Sequence, residues 1–379
     1  MMESGALRVL HLSAGNLYGG IETMLRTLAV ERLACPAMQP EFALVTEGRL
    51  STELRAAGVP VHMLGAVRVR YPWTVLRARH TLRTLLKKQR YDVAVCHGAW
   101  PHGLAAPALR AAAVPFAFFQ HGIAEGTHWT ERWAKRVAPD VVLANSQFCA
   151  GSAKKLFAAA APVVVYCPIP SPKPMTDEKR AEIRGAVRRE LGTADGDVVV
   201  LQVSRMEPWK GHRLLLQALA RVPAGTPWTL WVAGGAQRKE EEAYVADLHA
   251  MSASLGVAPR VRWLGQRSDV PALMTAADIF CQPNLSPEPF GIVFIEALGH
   301  GLPVVTVNMG GAAEIVNSDC GALVSGNADE LASALARLID DPNARRTLGS
   351  HGPERARAIS DVSRQMASFA KALASITRP

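Results

Sequence analysis

The sequence predicts two doubly wound α/β domains in succession, each a parallel sheet covered by helices. Three observations predict it. Short β-branched and apolar runs alternate with helix-length stretches through most of the 379 residues. The alternation forms two successive sets, interrupted by one proline-rich segment. A glycine-rich turn, Gly15 with Gly19 and Gly20, separates the first strand-like run from the first helix-like one.

In the first half, strands are expected near Arg8–Ser13, Phe42–Thr46, Val93–His97, Phe116–Gln120 and Val141–Ala144. Helices are expected over Glu22–Leu33, Thr74–Gln89 and Gln147–Ala158. The break is PIPSPKPMTDEKR, Pro168–Arg180, whose four prolines in seven residues favour an extended connector. In the second half, strands are expected near Val198–Val203, Trp228–Ala233, Val261–Leu264, Ile279–Gln282 and Pro303–Val307. Their helices are Arg213–Ala220, Glu240–Leu255, Val270–Ala276, Gly291–Leu298 and Ala328–Asp340, and Arg355–Ile376 reads as one terminal helix. Two such domains would face each other across a cleft, with ligands at the carboxyl ends of strands.

Composition narrows the class. At 49% hydrophobic and 20% charged residues the chain is globular. Its opening lacks the basic start and unbroken apolar run of a secretory signal. The apolar segment 103–119 carries Arg110, Pro107 and Pro115, which make a poor membrane span. A soluble, cytoplasmic protein is expected. Cys35, Cys96, Cys149, Cys167, Cys281 and Cys320 form no CxxC pair and read as buried, reduced thiols. The net charge of +9 resides in residues 1–170, with 19 Lys and Arg against 10 Asp and Glu; the remainder balances at 23 against 23. That asymmetry points to an acidic partner for the first half, a phosphate group or an anionic membrane.

The clearest chemistry lies in the second half, at PNLSPEPFGIVFIEALGHGLPVV from Pro283. Two prolines keep Glu288 in a loop, and Gly291 opens a helix closed by Gly301 and Pro303. The amides of Phe290, Gly291, Ile292 and Val293 are then offered to an anion. Glu296 sits about 7–8 Å further along the axis at 1.5 Å per residue, where a carboxylate can accept from paired ribose hydroxyls. Upstream, QVSRMEPWKGHRLL sets Arg205 at a strand end and Lys210 before the next helix. Two cations there can neutralise a diphosphate leaving group as its charge develops. The pair Gly310–Gly311 reads equally as a plain turn or as a close approach to ligand.

SRMEPWKG, EPFGIVFIE and GGAAEIV, with Cys320–Val324 following, resemble the family-4 retaining glycosyltransferases of the GT-B fold. Ser204 stands where that family more often has glycine, and Ala313 where it often has proline. The resemblance implies that Glu288 holds hydroxyls of the transferred sugar, Glu296 the ribose, and Arg205 and Lys210 the diphosphate. It implies retention of anomeric configuration. It also implies a nucleotide-sugar donor, UDP before GDP, with the departing phosphate taking the acceptor's proton. No carboxylate nucleophile is visible, so no covalent intermediate is expected. Gly19 and Gly20 would approach donor phosphate and acceptor.

His121 follows FAFFQ at a strand end, where its side chain would face the cleft; the resemblance implies contact with the donor sugar or reacting centre, the alternative being a structural bond to backbone, and His97 occupies an equivalent end. Asn145 and Ser146 match the family's strand-ending motif and are expected to shape the loop. Gly265–Arg267 is a candidate neighbour of the base. Asp195-Gly196-Asp197 resembles a metal signature but precedes a strand, so it reads as a turn; no metal and no other cofactor is expected. The glycine-rich turn lacks the G-x-G-x-x-G spacing of a nicotinamide fold. Arg79, Arg83, Lys87 and Arg90 share one arc of a helix, either a stripe for anionic lipid or a solvated outer face.

The expected organisation is an acceptor-side domain at 1–170, a nucleotide-sugar-binding domain at 181–355 and a terminal helix at 356–379 returning to the first domain. The acceptor is open, with a lipid-linked or phosphorylated one favoured by the basic first half. No nucleic acid partner is expected. A GT-B nucleotide-sugar epimerase, a nucleotide-binding module without turnover and a nicotinamide oxidoreductase remain as alternatives.

Overall fold

The computed structural model describes residues 6–15, 19–236 and 238–377. The chain divides into two compact units: residues 1–170 with 360–379, and residues 171–359.

The first unit is built on β1 (Leu7–Ser13), β2 (Met38–Leu44), β3 (Val61–Met63), β4 (Val93–His97), β5 (Phe116–Gln120), β6 (Val141–Ala144) and β7 (Val163–Val164). They form one seven-stranded parallel sheet in the order β3-β2-β1-β4-β5-β6-β7. The central strands are buried on both faces, which explains their continuous rather than alternating apolar character. Phe42, Phe116, Phe118 and Phe119 are among the largest fully buried side chains. The first half of the apolar segment 103–119 continues a buried helix, Ala99–Ala111, and its end is β5. Among the described residues no helix is long and apolar enough to cross a membrane.

Three local readings need correction. β2 starts at Met38 rather than Phe42, because Gln39, Pro40 and Glu41 disguise it. Glu41 tolerates its buried place by accepting from Arg8 at 2.6 Å and from the Tyr91 hydroxyl at 2.7 Å. β3 and β7, of three and two residues, are too short to show a period. The helix expected to reach Ala158 is α-helical only over Gln147–Ser152 and continues as a 3₁₀ turn, Ala153–Lys155.

The second unit holds β8 (Val198–Val203), β9 (Trp228–Ala233), β10 (Val261–Gly265), β11 (Ile279–Gln282), β12 (Val304–Val307) and β13 (Gly321–Val324). They pair in parallel in the order β10-β9-β8-β11-β12-β13. Strand order reverses direction between β8 and β11, and ligands of doubly wound sheets bind outside the carboxyl ends at such a point.

The proline-rich connector is shorter than expected. Thr176 accepts from Lys179 N and starts the helix Asp177–Glu190. That helix is anchored by two arginines. Arg184 and Arg188 reach Asp278 at 2.7 and 2.5 Å, and Asp278 also accepts from Val199 N. At the other end, the expected single terminal helix is two, Pro342–Ser360 and Val362–Ala374. Asp361 interrupts them, capping Arg364 N at 2.8 Å. The second of these lies in the first unit, where Phe369 packs edge-on against His11 and Phe119.

All six cysteines are free and buried, four in the first unit and two in the second. Burial pushes the Cys167 thiol up to about 12, and raises Cys96 and Cys281 as well.

Candidate functional site

Two loops at the β8/β11 reversal of the second unit bring together the residues singled out in the sequence. The loop after β8 carries Arg205, Glu207 and a 3₁₀ turn, Pro208–Lys210. The loop after β11 runs from Pro283 to Gly291. Leu285 N donates to Trp209 O at 2.7 Å, which ties one loop to the other. Gly211 makes that approach possible: at φ +78°, a Cβ there would lie 1.8 Å from Pro283 O.

Lys210 and Glu288 form one pair. Lys210 Nζ lies 2.7 Å from Glu288 Oε2 and 3.8 Å above the Trp209 ring, and both side chains are mostly buried. Asn284 Nδ2 donates to the same carboxylate oxygen at 2.9 Å, and Gln282 Nε2 donates to Asn284 Oδ1 at 3.1 Å. Arg205 pairs with Glu207 at 2.8 Å, which also accepts from Trp209 Nε1 at 3.0 Å. Each of the two cations thus has a carboxylate partner. Each also retains donors, since a lysine has three N–H bonds and an arginine five. Glu207, Asn284 and Gln282 were missed in the sequence. An acidic residue set between two cations, in RMEPWK, was the available signal for Glu207.

Glu288 is fixed from behind by glycine. Glu288 bridges Gly310, and Gly311 N donates to Glu288 O at 2.7 Å. Gly310 has φ +63°, and a Cβ there would meet Glu288 O at 2.4 Å. The Gly310–Gly311 pair supports the glutamate loop.

The helix beyond begins at Ile292, with Gly291 as its N-cap, and runs to Gly299. Phe294 N already bonds Gly291 O at 3.0 Å, while the first-turn amides of Ile292 and Val293 lie at the helix mouth. The Phe290 side chain is buried in the core. Glu296 lies on the same helix, partly buried, and desolvation pushes its carboxyl up to about 7. No described side chain donates to that carboxylate.

Other expected positions are otherwise engaged. Arg267 is clasped by Asp269 at 2.7 Å and Glu190 at 2.8 Å. Asp195–Asp197 is a turn ahead of β8, where Asp197 accepts from the Thr229 hydroxyl.

In the first unit, Gly19 caps the helix Gly20–Val30, and its amide donates to Glu22 at 3.0 Å. Asn16–Tyr18 of the same loop lie outside the described residues. His97 ends β4 and His121 follows β5. His97 Nδ1 stands 2.9 Å from His121 Nε2. Asn145 holds the His121 carbonyl at 3.2 Å, and Ser146 caps the helix Gln147–Ser152. His121 lines a cavity of 320 Å³ with Gln120, Glu125, His128 and Glu131. The basic stripe loses two members. Arg79 turns inward to donate to Gly103 O and Leu104 O, and Arg90 falls beyond the helix Pro72–Lys88. The outer face of that helix instead exposes Trp73, Leu76, Arg77, His80, Arg83 and Lys87.

Comparison with known proteins covers both units. Residues 18–171 match the family model described as Glycosyltransferase Family 4, and residues 184–355 match Glycosyl transferases group 1. A GDP-mannose-dependent monoacylated alpha-(1-6)-phosphatidylinositol monomannoside mannosyltransferase of Corynebacterium glutamicum is 33% identical over 180 residues, 45% of this chain and 45% of its own. A D-inositol 3-phosphate glycosyltransferase of Corynebacterium glutamicum is 34% identical over 180 residues, 46% of this chain and 42% of its own. The chain thus spans less than half the length of these curated relatives. Among solved structures, Anabaena HepE in complex with UDP and glucose superposes with a TM-score of 0.82 at 27% identity. That match covers 97% of this chain and 100% of HepE.

Proposed function

The chain belongs to the family-4 glycosyltransferases of the GT-B fold, and from that premise we propose that it transfers a sugar from a nucleotide diphosphate to an acceptor. One observation carries the reading: the Arg205, Lys210, Glu288 and helix-mouth cluster at the strand reversal of the second unit. The unshared donors of Arg205 and Lys210, with the amides of Ile292 and Val293, receive the diphosphate. Their positive charge offsets what develops on the bridging oxygen as the bond to the sugar breaks. Glu288, pinned by Lys210 and Asn284, keeps acceptor capacity for sugar hydroxyls. Glu296 accepts from the ribose.

Fixed side-chain cations support a metal-independent reaction, in which the rate survives chelator. UDP is the preferred base and GDP the next. HepE, similar along its whole length, was solved with UDP, whereas the mannosyltransferase relative is named for GDP-mannose. Retention follows the family; the departing phosphate takes the acceptor's proton, and no enzyme-bound sugar forms. In the first unit, Gly19, Gly20 and His121 serve the acceptor and reacting centre. The exposed Trp73 and Leu76 beside Arg77, Arg83 and Lys87 suit an anionic membrane, which favours a lipid-linked or phosphorylated acceptor.

The test is nucleoside diphosphate release from UDP- and GDP-sugars, with and without candidate acceptors. Arg205→Ala with Lys210→Ala is expected to abolish release while the chain stays folded. An unchanged rate in that double variant, or isomerisation of the donor without acceptor, overturns the reading.

A further inference from the structure

Three imidazoles in the first unit form a continuous hydrogen-bonded chain. His11 Nδ1 lies 3.0 Å from His97 Nε2, and His97 Nδ1 lies 2.9 Å from His121 Nε2. The rings meet edge to edge with their planes inclined by 21° for His97 and His121 and 33° for His11 and His97, at centroid distances of 5.1 and 5.2 Å. His11 and His97 are 0% and 2% exposed. Aromatic side chains enclose them: Phe42 stacks on His11, Phe119 on His97 and His121, and Phe369 meets His11 edge-on. At one end of the chain His121 lines the cavity described above.

Each nitrogen–nitrogen contact needs one N–H and one lone pair, so three neutral rings have only two arrangements. In one, every ring carries its proton on Nδ1. His11 Nε2 is then a bare lone pair, and His121 offers Nδ1–H. In the other, every proton sits on Nε2, and His121 offers a lone pair. The far end decides. His11 Nε2 is buried without any partner, and an orphaned buried N–H is rarer than an orphaned acceptor. The first arrangement leaves the cheaper orphan.

We propose that His97 and His11 are positioning residues that lock His121 in its Nδ1–H tautomer, making it a neutral hydrogen-bond donor to an oxygen of the reactants. The role at the reactants rests on the glycosyltransferase reading; the tautomer itself does not. Burial supports the neutral chain, holding His11 and His121 down to about 3 and His97 well below the usual range. The ionisable groups sharing the cavity are Glu125, His128 and Glu131. Glu131 is occupied by the backbone amides of Glu125, Gly126 and His128.

The experiment is long-range ¹H–¹⁵N NMR of the full chain labelled in histidine, with His121 assigned by difference from His121→Gln. The expected spectrum shows His121 protonated at Nδ1 and bare at Nε2, unchanged between about pH 5.5 and 8. Protonation at Nε2, or an ordinary titration in that range, overturns the proposal on the wild-type chain alone. His97→Leu removes the donor and is expected to shift His121 toward Nε2–H. His97→Asn places an amide N–H where Nδ1 was and is expected to preserve the tautomer. A leucine variant with the wild-type tautomer also overturns the proposal. In transfer assays the leucine variant loses about tenfold in kcat, the worth of one hydrogen bond, and the asparagine variant recovers it. A wild-type chain with the expected tautomer but no transfer would sink the functional reading and leave the lock standing.

Discussion

Lys210 Nζ sits 2.7 Å from Glu288 Oε2, between the Trp209 ring and the loop after β11. The pair joins the cation proposed for the diphosphate to the carboxylate proposed for the sugar. Removing either member therefore costs more than its own contact. Lys210→Met removes the ammonium over Trp209 and leaves Glu288 with Asn284 alone. The variant is expected to lose about 10²–10³ in kcat/KM, measured as initial rates of diphosphate release. A loss under about fivefold would refute the role.

Gly310→Ala tests the support behind Glu288. The added methyl would meet Glu288 O and N at 2.4 and 2.8 Å, in a backbone conformation unsuited to alanine. Stability is expected to fall by about 1–3 kcal/mol. Nucleotide-sugar affinity should fall further than for a variant remote from the loop. Calorimetric titration against UDP and its sugars checks it.

Glu296 gives a pH signature. Burial raises its carboxyl from 4.5 to about 7 in the folded chain. Between those values the folded state holds more protons than the unfolded one, so this group makes stability fall as pH rises, by up to about 1.4 kcal/mol per pH unit. Glu296→Gln is expected to flatten that slope and to weaken nucleotide binding at pH above 7. Urea unfolding at several pH values reads the first effect, and identical slopes in both proteins would contradict the assignment.

Asp278 anchors the helix after the connector. Asp278→Ala leaves Arg188, 3% exposed, without its carboxylate. A loss of about 3–5 kcal/mol is expected, read by denaturant unfolding. Asp278→Asn should recover part of it through the bond to Val199 N.

The outer face of helix Pro72–Lys88 is expected to bind vesicles containing anionic lipid and not neutral ones. Trp73→Ser with Leu76→Ser should weaken sedimentation with vesicles without changing solution transfer to a soluble acceptor. Equal binding by both proteins would dismiss the surface.

Long, strongly apolar elements were legible in the sequence. β4, β5, β6, β8, β9 and β11 fall where their apolar runs place them, because strands buried on both faces leave no polar interruption. β3 and β7 were not legible, since two or three residues carry no period. Nor was the start of helix Asp177–Glu190, whose charged sequence is held by contacts to Asp278 far along the chain. At the site, residue types and spacing indicated Arg205, Lys210 and Glu288. They could not show that each cation already has a carboxylate partner, because Glu207 and Glu288 meet their cations only through loop packing. Arg79 illustrates the same limit from the other side. Its place in a basic arc was correct, but the carbonyls of Gly103 and Leu104 draw it inward. His11 gave no sequence signal. Its meaning arises only when β1 and β4 lie side by side.

The six buried thiols make the molecule its own reporter of opening. With no thiol at the surface, a thiol-directed reagent has nothing to modify until a lobe breathes. Four thiols lie in one lobe and two, Cys281 and Cys320, in the other. Mass spectrometry of briefly alkylated protein would therefore reveal which lobe loosens first, and whether nucleotide quiets the second lobe selectively.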